Sequence, residues 1–587
     1  MLRAAAQQPA PVSQTVVVVG TPDPVAIGES PRSVFVIDTQ KQPLAFETAE
    51  DYLRNDPSTF IEQRGAGGAQ ADISIRGSSF EQTLVLLNGL RIDDAQTSHH
   101  NLDLPVPLEA MSGIDILHGA GSTLYGSDAL GGVVDFLTAV PSATTLQLRS
   151  GAGSFGENEE SFLGDAPGKR WSEVLAGDRN FSTGFIPDRD YRNEEGSTES
   201  RMKTALGVTD ILLAGSDRAF GADQFYGPYN SWERTKGWFA SARQELGTRT
   251  EAAFGYRRHA DNFILLRNDP AFYANNHIDQ SWQGVVRRKQ TIGKDATLFG
   301  GLEEDGDAIE SNNLGRHARN QGAGYVDLDL HSARRWNLSA GLRGELLSGG
   351  GGRWVWSPDL AGSLALAPTL RIRASAGYGF RLPTYTDLYY SDPSTHGDPN
   401  LKPESAWSGD AGADWYPGHK SAFSLTAFYS RQHDAIDYVR ANAAEPWQAA
   451  NLSGLRFAGL ETSATLQPVR HQTVTLGWTV VSGAQAALHG QQSEYVFNYP
   501  VNNASFQWLA NVRSAFTVRT VVQVVERYQQ TPYPVWNLET SRERGRVRPY
   551  LRAANLSNTG YEEIVGVPMP GRSFTGGFEI LLAPQHR

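Results

Sequence analysis

The strongest constraint in this sequence is a two-residue alternation of side-chain character that recurs from Pro141 to the end of the chain. Residues 370–380, 423–429, 473–480 and 574–582 show this alternation clearly. Successive side chains of a β-strand point to opposite faces, so the pattern predicts many half-buried strands. At ~20 residues for each strand and its connection, this region holds roughly 22 strands.

The sequence contains no apolar run long enough for a transmembrane helix. Its densest apolar runs, residues 15–19 and 84–87, fall far short of the ~20 residues that a helical span needs. A transmembrane β-strand needs only ~9–11 residues with alternate ones facing lipid, which suits a mean hydropathy of -0.39. A membrane-spanning barrel therefore fits the composition, while a chain of soluble β-sandwiches has the same periodicity and stays open.

The connections between the predicted strands are of two kinds. Some are short, such as residues 417–420, and others are expected to be long and polar, such as residues 157–199. Barrels of outer membranes have tight turns on one side and longer loops on the other. A barrel of roughly 22 strands also encloses a lumen wide enough to need a plug.

The N-terminal quarter of the chain has a different, mixed character. Residues 47–55 suit a short helix, residues 72–76 and 83–87 suit strands, and Asn88-Gly89 is a strong hairpin signal. We therefore predict a 22-stranded antiparallel transmembrane β-barrel whose lumen holds an N-terminal α+β plug domain. The predicted segments are a residual export or tether segment (1–11), a tether (12–38), the plug (39–140) and the barrel (141–587).

The predicted tether carries a β-branched run at residues 15–19, followed by Gly20, Pro22 and Pro24. Glycine and prolines interrupt regular structure, so this segment reads as a mobile tether with a strand-forming run near its tip. The preceding residues 1–11 lack the apolar region of a complete signal peptide, although they resemble the small-residue end of one. Export is therefore inferred from the rest of the chain.

Several functional classes are disfavoured by composition and motifs. A net charge of -12 argues against a nucleic-acid partner, and the absence of cysteine excludes disulfides and thiolate metal sites. Residues 151–156 match GxGxxG, but no βαβ pattern surrounds them, and neither a nucleophile elbow nor zinc-ligand spacing is present. We expect neither an enzyme nor a cofactor or metal site, and we expect a monomer surrounded by lipid.

The plug segment resembles that of the TonB-dependent outer-membrane receptors, especially the vitamin B12 (cobalamin) transporter branch. The resemblance rests on motifs spread over nearly the whole chain. They are ISIRG (73–77), LVLLNGLRI (84–92), IDILHGAGSTLYGSDALGGVV (114–134), GFRLPTYTDLYY (379–390), GDPNLKPE (397–404), FAGLE (457–461), RAANLSNTGYEE (552–563) and GVPMPGRSFTGGFEI (566–580).

The resemblance implies TonB-dependent active transport of a scarce nutrient across the outer membrane, with cobalamin favoured and a ferric siderophore as runner-up. The alternative is a passive outer-membrane channel or an adhesin with a vestigial plug. In the family, the position of the β-branched run is that of the TonB box, which adds as a strand to its partner. The box residues are then Thr15, Val16, Val17, Val18 and Val19, although these residues could also form the first strand of the plug.

The resemblance also implies a buried latch between plug and barrel wall, formed by Arg76, His118, Glu404 and Glu461. His118 stands where the family usually has an arginine, and Asp115 stands where glutamate is common. Because histidine titrates near neutrality, we expect this latch to be weaker or pH-sensitive.

Ligand contacts are expected at the outward tip of the plug and in the long loops. Residues 93–104 follow the predicted hairpin and carry adjacent histidines, which could contact a corrinoid or an iron chelate, or could be solvated loop residues. The candidate substrate-binding residues are His99, His100, Asn101 and Tyr125.

Overall fold

The computed structural model describes residues 16–17, 19–20, 25–332, 335–348, 352–418, 420–484, 488–512 and 515–582. Thr15 and Val18 of the predicted TonB box lie outside the described residues, as does segment 1–11. None of the helices in the described part of the chain is long and apolar enough to cross a membrane.

Strands dominate the described chain, and three short α-helices accompany them. The helices are α1 (Ala49–Leu53), α2 (Ser122–Tyr125) and α3 (Tyr385–Tyr389). The strands before the barrel are β1 (Val16–Val17), β2 (Val25–Ala26), β3 (Val34–Asp38), β4 (Thr59–Gln63), β5 (Ala71–Ile75), β6 (Thr83–Leu87), β7 (Leu90–Arg91), β8 (Met111–His118) and β9 (Gly132–Thr138).

The remaining strands follow from residue 145 onward. They are β10 (Thr145–Gly153), β11 (Asn158–Ala166), β12 (Trp171–Ser182), β13 (Tyr191–Lys203), β14 (Val208–Asp223), β15 (Asn230–Leu246), β16 (Thr250–Ile264), β17 (Ala274–Ile292), β18 (Ala296–Ser311), β19 (Gly315–Ser332), β20 (Trp336–Leu347), β21 (Arg353–Ala367), β22 (Leu370–Arg381), β23 (Thr395–His396), β24 (Glu404–Gly418), β25 (Ser421–His433), β26 (Ala435–Arg440), β27 (Trp447–Leu452), β28 (Leu455–Leu466), β29 (Gln472–Ala484), β30 (Gln492–Ser493), β31 (Pro500–Val512), β32 (Phe516–Arg527), β33 (Tyr533–Arg542), β34 (Val547–Ala554), β35 (Glu562–Ile564), β36 (Val567–Pro568) and β37 (Ser573–Leu581).

A closed antiparallel barrel of 22 strands forms from β10–β22, β24, β25, β28, β29, β31–β34 and β37. The first and last of these strands close the barrel by pairing with each other, with Gln147 opposite Leu581. The predicted fold class is confirmed. Closure leaves these strands without a free sheet edge. A β-sheet can cross a bilayer only when it is closed in this way, because an open edge would leave backbone groups unpaired in lipid.

The two faces of the barrel wall differ in polarity, as the sequence alternation predicts. In β14, Leu213 points outward and is 52% exposed, whereas its neighbours Leu212 and Ala214 are buried. Trp238 and Leu302 are also exposed on the outside. Polar side chains face the lumen, so the wall presents an apolar surface to lipid and a polar one to its contents.

The two ends of the barrel differ in their connections. At the end where β10 begins and β37 stops, the strands are joined by short turns such as 204–207, 247–249 and 293–295. The opposite end carries longer connections, including α3 and the four-stranded sheet β23-β27-β26-β30. We call these the short-turn end and the loop end.

The prediction of a long polar loop at residues 157–199 is wrong. Strands β11, β12 and most of β13 occupy this segment. In β13, polar side chains occupy both faces. Asn193 and Ser197 are buried toward the lumen, while Arg192 and Glu194 are about two-fifths exposed on the other face. A strand with polar residues on both faces has no alternation to reveal it.

The N-terminal residues form a plug around the five-stranded mixed sheet β3-β8-β9-β6-β7. The predicted strand at 83–87 is confirmed as β6, and Asn88 and Gly89 have φ values of 53° and 74° in the turn to β7. The predicted helix is confirmed as α1, which begins with a capping box from Thr48 and Asp51.

The plug lies inside the barrel. Its buried core, which includes Ile73, Leu87 and Phe136, is continuous with buried wall residues such as Leu212 and Phe239. The plug sheet therefore packs directly on the lumen face of the wall, and the sites at their interface are formed by both.

Candidate functional site

Arg76 is the centre of a buried ion-pair cluster between plug and wall. Its Nε and Nη2 atoms donate to the two carboxylate oxygens of Glu461 at 2.7 and 2.6 Å. Its Nη1 donates to Asp410 at 3.0 Å, and the guanidinium also lies over the Phe428 ring. This bidentate arrangement is the strong form of an arginine–carboxylate contact, so it fixes the plug against β24 and β28.

His118 joins the same cluster from β8. Its Nε2 lies 2.7 Å from an Asp56 carboxylate oxygen, and its Nδ1 lies 3.6 Å from Glu461. Burial alone lowers the pKa of His118, but the Asp56 and Glu461 carboxylates outweigh it and raise the pKa to about 9. The imidazole therefore stays protonated at neutral pH and serves as a second cation of the cluster. The pH sensitivity that we expected of the latch near pH 7 should accordingly occur at alkaline pH.

Glu404 is not part of this cluster. Its carboxylate accepts from Arg381 Nε at 2.6 Å, from Gln82 Nε2 at 3.0 Å and from the Ile436 amide at 2.7 Å. The predicted quartet is thus corrected to two plug–wall clusters: one joins Arg76 and His118 to Glu461, and the other joins Glu404 to Arg381 and the plug. Asp410, which the sequence analysis missed, completes the first.

We expect His118 to stabilise the plug most at low pH. Its folded pKa of about 9 exceeds the ~6.5 of an unfolded histidine, so its contribution is complete below about pH 6.5 and disappears as the pH rises through 9. The difference in the free energy of unfolding between the parent and His118→Gln should therefore shrink from pH 6 to pH 9.5. A difference that stays constant over this range would contradict the charged state assigned to His118.

The described part of the tether is folded against the short-turn end of the plug. Val16 and Val17 pair antiparallel with Ala26 and Val25 in a two-stranded sheet of their own. Val19 is fully buried against plug residues including Leu117. The run is therefore outside the main plug sheet, although its end packs on the plug.

Tyr125 belongs to this tether contact. The Gly20 amide donates to Tyr125 Oη at 3.1 Å. The neighbouring tether carbonyls of Glu29 and Ser30 accept from Asn337 and Arg371, which lie at the start of their strands at the short-turn end. The predicted role of Tyr125 in substrate binding is corrected accordingly, because its hydroxyl faces the tether and not the loop end.

Two of the other predicted ligand residues, both in the apex loop (residues 93–104), have structural partners within the plug. His99 Nδ1 lies 2.8 Å from Asp72, and its ring stacks on Phe80 at 4.4 Å. Burial lowers the pKa of His99 although Asp72 opposes the shift. Asn101 accepts from the Asp94 amide at 2.7 Å, which closes the loop on itself. These contacts shape the loop and leave little of either side chain for a ligand.

His100 points from the apex loop to the wall and meets a group of carboxylates and a second histidine. Its Nδ1 lies 3.5 Å from Asp103, and its Nε2 lies 3.3 Å from Glu233 on β15. Asp103 also lies 3.2 Å from His259 Nε2 on β16. Burial lowers the pKa of His100, but these carboxylates raise it well above its usual range.

The helix α3 brings aromatic side chains from a wall loop onto the apex loop. The amides of Tyr385 and Thr386 donate to the carbonyls of Ala95 and Gln96 at 3.1 and 2.9 Å. The Tyr389 ring in the same helix stacks on His317 at 3.7 Å. A group of rings therefore lies beside the plug tip at the loop end, where a planar or aromatic ligand could stack.

The wall residues of these clusters could not be found from sequence spacing. Asp410 lies 334 residues from Arg76, and His259 lies 156 residues from Asp103. Each sits at an inward position of a strand, where alternation predicts the face but not the partner.

Comparison with known protein families gives two matches that together cover most of the chain. The family model described as TonB dependent receptor-like, beta-barrel matches residues 157–565, and the TonB-dependent Receptor Plug Domain matches residues 26–133. The chain belongs to the TonB-dependent receptor family. This receptor is accordingly an outer-membrane protein, as its sequence indicated.

The receptor is similar to two other proteins over most of its length. The Vitamin B12 transporter BtuB of Vibrio vulnificus (strain YJ016) is 25% identical over 469 residues, which cover 74% of the receptor and 72% of that protein. An iron-regulated outer membrane virulence protein of Vibrio cholerae serotype O1 (strain ATCC 39541 / Classical Ogawa 395 / O395) is 24% identical over 554 residues, covering 82% and 79%.

Solved structures support the fold of the receptor. The siderophore receptor PirA from Acinetobacter baumannii superposes with a TM-score of 0.77 at 15% identity, covering 94% of the receptor and 98% of PirA. The copper transporter OprC gives a TM-score of 0.79 at 16% identity, covering 94% and 99%. At these identities the likeness concerns the fold alone.

Proposed function

We propose that the receptor actively transports a metal chelate or a corrinoid across the outer membrane, with TonB pulling on its N-terminal segment. Two relatives carry the names of a vitamin B12 transporter and an iron-regulated outer-membrane protein. Cobalamin is the first candidate ligand and a ferric siderophore the second. Transport of either requires no bond to be broken in the ligand.

The observation that carries this proposal is a short hydrogen-bond path through the plug. Gly20 of the tether donates to Tyr125 Oη, and the Tyr125 carbonyl accepts from Arg91 Nη1 at 2.9 Å. Arg91 Nε donates to Asp93, the first residue of the apex loop, at 3.2 Å. A pull on the tether thus acts on residues that are bonded to the ligand-facing end of the same domain.

The tether fits strand addition as its mode of partner recognition. Val16 and Val17 already pair as a strand, but their partner is the two-residue β2 and not the plug sheet. So short a hairpin is marginal in water, and a partner sheet can replace it through main-chain hydrogen bonds. TonB binding would then release β1 from β2, and the pulling force would act on the hydrogen bond between Gly20 and Tyr125.

Deleting residues 12–20 tests the energised mechanism. We expect the deletion to abolish uptake that depends on cellular energy and to leave ligand binding to the purified receptor unchanged, because the apex loop is untouched. Uptake and binding of radiolabelled cobalamin, and of a panel of ferric siderophores, measure both quantities. As a control, replacing residues 12–14 by Gly and Ser keeps the whole predicted box and Gly20, and it should retain energised uptake.

The outcome also separates the alternatives. A passive channel or an adhesin would keep its activity after the deletion, because neither function uses the tether. Energised uptake that persists in the deletion variant would overturn the proposal.

A further inference from the structure

We propose that His100, Asp103 and His259 form a binding site for one divalent transition-metal ion between the apex loop and the barrel wall. Two of these residues belong to the plug and one to β16. All three are at least nine-tenths buried, with exposures of 4%, 8% and 0%. The ion belongs to the protein and not to the cargo, so this site is independent of which nutrient the receptor transports.

The spacing of the donor atoms matches that of ligands around a metal. Asp103 Oδ2 lies 3.5 Å from His100 Nδ1 and 3.2 Å from His259 Nε2, and the two imidazole centroids are 4.9 Å apart. Ligands at ~2.0–2.1 Å from a tetrahedral zinc ion are roughly 3.3 Å from one another. Two imidazole nitrogens and one carboxylate suit Zn²⁺ and neighbouring divalent transition metals.

The outer partners of both histidines match those of metal-bound imidazoles. His100 Nε2 lies 3.3 Å from Glu233, and His259 Nδ1 lies 3.4 Å from Asp279. Histidines that ligate metals usually direct their other ring nitrogen to a carboxylate, which fixes the ring orientation and the tautomer. Here both rings have this arrangement, with Asp103 between them.

Unsatisfied polar atoms supply an independent observation. Asp261 Oδ1 is buried without a hydrogen-bond partner in the described structure, and His259 Nδ1 and Asp279 Oδ1 are 3.4 Å apart without the geometry of a hydrogen bond. Asp261 and Asp279 are 6% and 1% exposed, and buried polar atoms of native proteins are nearly always paired. An ion bound between the two rings would draw the His259 ring into position and orient its Nδ1–H toward Asp279.

The charge of the surroundings also favours a cation. Asp103, Glu233, Asp261 and Asp279 converge within this buried region. Arg257 pairs with Asp279 at 2.9 Å, whereas Arg218 donates to Glu195 and reaches Asp103 only at 3.5 Å. A divalent ion would compensate this excess of carboxylates and hold the apex loop to β16.

Metal titration of the purified full-length receptor in detergent, after treatment with a chelator, tests the site. We expect one equivalent of Zn²⁺ to bind by calorimetry and one equivalent of Co²⁺ to give the visible absorption of a nitrogen- and oxygen-ligated ion. His100→Gln and His259→Gln should each weaken binding at least about 10-fold, and Glu233→Gln should weaken it by about 10–100-fold. His99→Gln is the matched control, because His99 bonds Asp72 outside the triad.

The outcomes are decisive in both directions. Loss of the stoichiometric ion in the His100 and His259 variants, with retention in His99→Gln, supports the site. Absence of binding to the folded parent, or binding of one equivalent to His259→Gln with the affinity of the parent, overturns it. Heat-modifiable migration of each variant shows that the barrel is folded, and a Zn²⁺-dependent rise in the Tm of the parent gives a second readout.

Discussion

Replacing Arg76 with methionine is expected to lower the free energy of unfolding by about 3–5 kcal/mol, because it removes the nearest cation of two buried carboxylates, Asp410 and Glu461. Arg76 and its partners Asp410 and Glu461 are at most one-tenth exposed. Methionine keeps much of the side-chain volume, so the loss is electrostatic. Denaturant unfolding of the refolded receptor in detergent measures this change, and bilayer conductance would report a loosened plug as leak current.

The triple variant Arg76→Met, Asp410→Asn, Glu461→Gln distinguishes the loss of a favourable ion pair from the cost of burying a carboxylate without its arginine. Removing Arg76 together with both of its carboxylates should recover much of the stability, because a buried ion pair contributes little net stability of its own, and because His118 and Arg373 keep Asp56 and Asp414 as partners. The control Arg316→Met removes a mostly exposed arginine paired with Glu310 and should change stability little. Equal effects of Arg76→Met and Arg316→Met would contradict the latch.

The fold could be predicted to a considerable extent because its elements have local signatures. Strand alternation predicted the barrel, and the Asn88-Gly89 signal predicted the turn after β6, where both residues have positive φ. The failure at residues 157–199 has the same origin, since β13 has polar side chains on both faces and therefore no alternation. Local patterns predict an element only where its two faces meet different surroundings.

The candidate site was less predictable because its partners are distant in sequence. The resemblance placed Arg76 and Glu461 in one cluster, and they do meet. It did not place Glu404 with Arg381, and the spacing rules for metal motifs could not detect His100 and His259. Barrel closure decides which inward side chains meet plug residues, and no short segment contains that information.

A reversible disulfide between plug and wall is expected to abolish energised uptake almost completely. Ser58 Oγ lies 2.9 Å from Thr479 Oγ1, and both residues are buried. Cysteines at these positions are close enough for a disulfide, whose sulfurs are ~2.05 Å apart. The chain has no cysteine of its own, so Ser58→Cys/Thr479→Cys can form only the intended bridge within the receptor.

Each single-cysteine variant is the matched control, because it carries the same substitution without a bridge. Ligand binding by the oxidised double variant should equal that of the parent, since the bridge lies away from the apex loop. Gel mobility with and without reductant gives the bridged fraction, to which the loss of uptake should be proportional.

Energised uptake by cells carrying the double variant, measured before and after reduction, tests most directly whether the plug must move against the wall. The account predicts almost no uptake while the bridge is intact and a return to the rate of the single-cysteine controls after reduction. Parental uptake by fully bridged receptor would contradict it.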